Sequence, residues 1–198
     1  MAFVSRPSRL LRPGRRRLLA AAACAFACAA GWPDAGAQED AAQLELRVKA
    51  AFLYKFIGYI DWPAGSFARP DAPVTIAVVG ADALAAELAQ AVAGRTVNDR
   101  PVVVRRLKPG DSLDGVHVLF LGKAETARLA QFTQAAQSRS ILLVTESDGA
   151  LAQGSIINFV MAERRVRFEI ALDSAEKSRL KLSSRLLAVA QQVRTGTP

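Results

Sequence analysis

The chain has 198 residues, with 26 Lys and Arg against 18 Asp and Glu, for a formal net charge of +8. Six arginines (Arg6, Arg9, Arg12, Arg15, Arg16, Arg17) and one acid (Asp34) fall in the first 37 residues; subtracting them leaves 20 basic and 17 acidic groups, a net of +3. So even a balance gives no electrostatic case for nucleic acid binding, and the remaining length suits one domain around one core.

Residues 1–37 read as a cleaved secretory signal peptide, leaving one domain over 38–198 outside the bacterial cytoplasm. The arginine run is its charged start. Leu18 to Ala30 is an uncharged stretch of thirteen residues, too short to span a bilayer comfortably. Ala35-Gly36-Ala37 offers the small side chains a signal peptidase needs at its cleavage site. Arg15-Arg16-Arg17-Leu18-Leu19 leaves a twin-arginine route open beside ordinary secretion. Both cysteines, Cys24 and Cys28, lie in this segment, so the remaining domain has no disulfide, thiol nucleophile or thiolate ligand.

A helix is predicted over Asp40–Ile60, where Leu44, Val48, Phe52, Phe56 and Ile60 recur every four residues. Asp61-Trp62-Pro63 stops it, because the residue before proline avoids helical dihedrals. From Ala50 to Ile60 the pattern is apolar almost all round, which predicts burial on more than one side. Val74–Val79 is a β-branched strand that enters a turn at Gly80. Asp82 is expected to cap a helix ending near Ala93. Pro101–Leu107 reads as an edge strand. Val116–Leu121 and Ile141–Thr145 are continuous apolar runs of the kind central parallel strands show. Between them a helix is predicted over Ala124–Ala136, and Asp148–Gly154 is read as a loop.

Ser155–Met161 and Arg165–Ala171 form a predicted hairpin with its turn at Glu163-Arg164. Pairing Met161 with Val166 puts Phe159 opposite Phe168 and Ile157 opposite Ile170, giving one dry face. The other face then holds Asn158 opposite Glu169 and Val160 opposite Arg167. Two helices are predicted to close the chain. One starts at an Asp173 cap and the other near Ser183, carrying Leu186, Leu187, Val189, Ala190 and Val193. The fold class is therefore a single α/β domain. A mostly parallel central sheet has helices on both faces, plus a C-terminal antiparallel hairpin and two closing helices.

Catalytic constellations are absent. His117 is the single histidine, and its place in an apolar strand fits a hydrogen-bonded core residue better than a catalyst. The chain holds no second histidine for a usual metal site, and Gly80-Ala81-Asp82 is not a phosphate-binding loop. The reading is a protein that is not an enzyme and needs no cofactor or metal. Arg105-Arg106-Leu107-Lys108 and Glu163-Arg164-Arg165 suit a solvated strand edge and a hairpin tip. The polar hairpin face (Asn158, Arg167, Glu169) is either a local ion pair under a covering helix or a pocket floor or docking face. Trp62 either plugs the core or anchors a ligand or partner.

Lys49-Ala50-Ala51-Phe52-Leu53-Tyr54-Lys55-Phe56, followed by Trp62-Pro63, resembles the opening signature of the YfiR family. His117-Val118-Leu119-Phe120, Ile157-Asn158-Phe159, Arg167-Phe168-Glu169-Ile170 and Leu182-Ser183-Ser184-Arg185-Leu186-Leu187-Ala188-Val189-Ala190 continue the match in order, over residues 45–192. The resemblance implies a periplasmic repressor that binds the periplasmic sensory domain of an inner-membrane diguanylate cyclase. It implies an outer-membrane-associated lipoprotein that sequesters the repressor, which raises cyclic di-GMP and promotes biofilm formation. Homodimers and a small-molecule ligand are also implied. Partner- or ligand-binding candidates are Asn158, Arg167, Glu169, Trp62 and Arg185. The repressor type carries cysteine pairs that this domain lacks, so redox control by that route is closed. The alternative is a periplasmic small-ligand sensor module serving another membrane signalling protein.

Overall fold

The computed structural model describes residues 1–2 and 35–196. Most of the expected signal peptide lies outside the described residues. The chain divides into residues 1–38 and 39–198, and the second unit carries the fold.

Helix α1 spans Ala35–Ile57. It starts five residues before the expected Asp40 and ends three before Ile60. Gly58 and Tyr59 close its last turn on the Lys55 and Phe56 carbonyls, and Ile60–Asp61 becomes the short strand β1. Ala50, Leu53, Phe56 and Ile57 are buried, whereas Leu44 is 61% exposed, and Ala51 and Lys55 also face solvent. The expected burial on more than one side is therefore not what the domain provides.

Strand β2 (Val74–Val79) is buried throughout. Helix α2 follows over Asp82–Val92, with Ala81 at the cap position and no side-chain capping bond. Asp82 is thus the first helical residue rather than the cap. Strand β3 (Thr96–Val97) turns back into β4 (Arg100–Leu107). Asn98 and Asp99 both take positive φ there, the conformation a two-residue hairpin turn requires. Strand β5 (Val118–Leu121) is fully buried. A 3₁₀ turn over Lys123–Arg128 replaces the first part of the predicted helix, and α3 proper is Leu129–Ser138. Strand β6 (Leu142–Thr145) is also fully buried.

The hairpin is β7 (Ile157–Ala162) and β8 (Arg165–Ala171). Its register pairs Met161 with Val166, Phe159 with Phe168, Ile157 with Ile170 and Asn158 with Glu169, as the alternation predicted. Helix α4 (Leu172–Lys177) begins directly at the end of β8, with Ala171 at its cap position, so Asp173 is not the cap. Strand β9 (Lys181–Leu182) pairs antiparallel with β1. Helix α5 spans only Ser184–Ala188, and Ser183 caps it by accepting a bond from the Leu186 amide. The expected longer helix through Val193 does not form. Gln192–Arg194 is strand β10 instead, parallel to β8. Without it, β8 would present a row of unpaired backbone groups, and satisfying them outweighs a further helical turn.

The main sheet has the order β10-β8-β7-β6-β5-β2-β4-β3, with the β4-β2-β5-β6-β7 block parallel. β2 connects through α2 to β4 on one side, and β5 connects through α3 to β6 on the other. The direction of winding therefore reverses between β2 and β5. The loops leaving these strands nearly touch: a Cβ on Gly122 would lie 2.3 Å from the Gly80 carbonyl oxygen. One face of the sheet packs Ile76, Phe120, Phe159 and Phe168 with α1 and α2; the other packs Ala77, Leu119, Leu121 and Leu143 with α3. Phe56 of α1 meets Phe168 edge-on at 5.0 Å and stacks with Phe159 at 5.9 Å. Such pairs contribute about 0.5–1.5 kcal/mol each beyond burial, and here they fix α1 to the dry face of the hairpin.

Candidate functional site

The residues just past β6 connect the elements around them. Thr145 ends the strand, and its hydroxyl donates to Asn158 Oδ1 at 2.7 Å. The Ser147 amide donates to the same oxygen at 3.1 Å. Ser147 Oγ lies 2.6 Å from Thr126 Oγ1. Glu146 points the other way and meets Lys49 of α1 at 2.6 Å. Lys49 also pairs with Glu45 one turn earlier on the helix. Lys49 is buried, so its charge stands only because both carboxylates meet it. Burial by itself lowers its pKa; the bonds to Glu146 and Glu45 outweigh that and leave it above 10.5.

Asn158 is therefore a buried tie between β7 and the end of β6. The register places it opposite Glu169 as the alternation predicts. Among the described residues, its side-chain oxygen is committed to Thr145 and Ser147. Arg167 is exposed and Glu169 half-buried on β8, and neither takes part in the ion pairs among the described residues. Of the two readings left open for this face, the local ion pair does not form among the described residues, and Arg167 and Glu169 stand outside the ion pairs there.

Trp62 lies at the other end of the parallel strands. It meets His117, the residue before β5, edge-on at 6.2 Å, and Phe67 at 6.0 Å. Phe67 stacks on the His117 ring at 4.3 Å, and the Arg100 guanidinium covers Phe67 at 4.0 Å. His117 Nδ1 accepts from the Thr75 amide at 3.1 Å, which assigns the proton to Nε2, and Nε2 lies 3.1 Å from the Ser66 carbonyl. Burial lowers the His117 pKa; the Ser66 bond opposes this, and the Arg100 charge adds to the lowering. His117 is a buried, hydrogen-bonded core histidine as expected, although it sits just before β5 rather than within the strand. The Trp62 indole nitrogen is buried and has no hydrogen-bond acceptor among the described residues. A cleft of about 200 Å³ opens here, lined in part by Trp62, Phe67 and Arg100.

The five candidates thus fall in three places. Asn158, Arg167 and Glu169 share the hairpin at the carboxyl ends of the parallel strands. Trp62 lies at the amino ends, and Arg185 is exposed on α5. Sequence reasoning missed the Lys49–Glu45–Glu146 cluster. Its one local signal is the four-residue spacing of Glu45 and Lys49 on α1. Among the described residues no group of His, Cys, Asp and Glu could hold a metal, and no helix is long and apolar enough to cross a membrane.

A solved conserved domain protein from Vibrio cholerae O1 biovar El Tor has a similar fold, with a TM-score of 0.53 and 11% identity. The similarity covers 75% of this chain and 60% of that one, and at this identity it shows the fold alone. No curated protein matches the chain. The family model described as YfiR/HmsC-like matches residues 46–191, nearly all of the second unit. Proteins of that family are periplasmic regulators of diguanylate cyclase pathways. With the match spanning both core faces, the hairpin and the closing elements, the chain belongs to the YfiR/HmsC-like family.

Proposed function

We propose that this protein represses an inner-membrane diguanylate cyclase by docking on its periplasmic sensory domain, which lowers cyclic di-GMP. Family membership supports the pathway. The observation that carries the docking site is the outward face of the hairpin, where Arg167 and Glu169 lie beyond the ion pairs of the fold. Asn158 holds β7 to β6 behind them, so the face is presented on a rigid sheet. Docking acts as a population shift: the repressor binds the inactive arrangement of the sensor more tightly, and the membrane segment passes that preference to the catalytic domain. Export through removal of residues 1–37 places the protein in the same compartment as that sensor.

The test is a pull-down between the exported protein and the purified periplasmic segment of the cyclase. The wild type is expected to be retained, and Arg167→Glu to be retained at least about tenfold less at an unchanged melting temperature. Equal retention of both proteins would remove the hairpin face from the reading. No retention of the wild type would remove the cyclase.

A further inference from the structure

The sheet has a face that extends beyond α3. That helix packs on β2, β5 and β6. On the same side β7, β8 and β10 continue outward; the 3₁₀ turn over Ala150–Gln153 packs against β7 and β8 next to α3, and the arginines lie beyond it. The register puts Gln192 beside Glu169 and Arg194 beside Ala171, so β10 adds its polar side chains to the face that carries Arg165 and Arg167. Arg165, Arg167, Gln192 and Arg194 are all exposed. None of the three arginines belongs to an ion pair among the described residues.

The charge of the chain is gathered at this end. From Glu163 to the C terminus there are eight basic and four acidic residues, against 12 and 13 in residues 38–162. The near-neutral total therefore conceals a basic C-terminal part and a slightly acidic remainder.

We propose that this three-stranded face docks an acidic protein surface whose carboxylates pair with Arg165, Arg167 and Arg194. The inference rests on the regulatory reading above and supplies the chemistry of the partner. The planar fork of arginine matches a carboxylate with two parallel bonds, and all three cations here are arginine. A second copy of the chain is disfavoured, since two such faces would oppose like charges. A membrane is disfavoured as well: the face presents no aromatic side chain to enter the headgroup region. Glu169 in the middle of the face gives orientation, because it repels a partner carboxylate placed out of register.

The experiment compares the exported wild-type protein with Arg165→Gln/Arg167→Gln/Arg194→Gln and with the corresponding triple Glu variant, at matched melting temperatures. Binding is measured to three probes: the cyclase periplasmic segment, immobilised poly-glutamate, and phosphatidylglycerol vesicles. Wild-type affinity for the first two is expected to fall about tenfold between 50 and 300 mM NaCl, and the triple Gln variant to bind about tenfold more weakly with a shallower salt slope. Wild-type affinity for the cyclase segment and poly-glutamate that the variants share would overturn the inference. Capture by vesicles alone, or self-association that the variants abolish, would overturn it in favour of a membrane or a second copy. Retention on poly-glutamate that the variants lose, without binding to the cyclase segment, would support the acidic-partner face and overturn the cyclase reading.

Discussion

Lys49 of α1 and Glu146 at the end of β6 lie 2.6 Å apart although 97 residues separate them in the chain. This pair joins the first helix to the segment that also holds β7 through Asn158. Removing one member leaves a buried charge without its counter-ion. Lys49→Met is expected to lower stability by roughly 1–3 kcal/mol, less than a fully buried pair because Glu45 reaches solvent. Adding Glu146→Leu to that variant is expected to recover part of the loss. Denaturant titrations of the wild type, both single variants and the double variant measure the coupling, and strict additivity would contradict it.

Asn158→Leu keeps the size of the side chain but removes the acceptor shared by the Thr145 hydroxyl and the Ser147 amide. The Ser147 amide is then buried without a partner, at about 1–3 kcal/mol where the site cannot relax, while the Thr145 hydroxyl turns to Ser155 Oγ, 2.8 Å away. The expected readout is a lower melting temperature together with faster amide exchange at Ser147. Stability equal to wild type would show that the tie is dispensable.

The His117 prediction has a sign. The folded-state pKa lies below the unfolded value of about 6.5, so the neutral ring's contribution is complete above that pH. It declines as pH falls beneath that value toward the folded-state pKa. Protonation would also set a second N–H against the Thr75 amide. The melting-temperature difference between wild type and His117→Gln should therefore shrink from pH 7.5 to pH 5. A difference that is constant with pH would contradict the lowered pKa.

Gly122→Ala places a methyl group 2.3 Å from the Gly80 carbonyl, where the loops leaving β2 and β5 cross. Backbone faces backbone there, so the conflict cannot be relieved by a side-chain rotation. The variant is expected to lose about 1–3 kcal/mol or to express poorly. Gly94→Ala is the control: its added Cβ meets nothing within 4 Å, and its cost is confined to the positive φ.

The hairpin was legible in the sequence because strict alternation sets register, and a one-residue slip would have turned Phe159 and Phe168 to solvent. The buried strands β2, β5 and β6 were legible as continuous apolar runs. β10 was not: Leu186, Leu187, Ala190 and Val193 carry a helical spacing, and only the open edge of β8 turns the end of the chain into a strand. The same limit hid the role of Asn158. Its partners Thr145 and Ser147 lie 13 and 11 residues away, and nothing local marks them as such. Arg167 and Glu169 were legible as sharing the polar face of the hairpin; the arginine that β10 adds beside them was not.

Cyclic di-GMP synthesis in spheroplasts that carry the membrane cyclase, with the exported protein added from outside, reads repression itself. Synthesis is expected to fall about fivefold or more on addition of wild type and to return toward the starting level with Arg165→Glu/Arg167→Glu/Arg194→Glu. Synthesis unchanged by saturating wild-type protein would contradict repression.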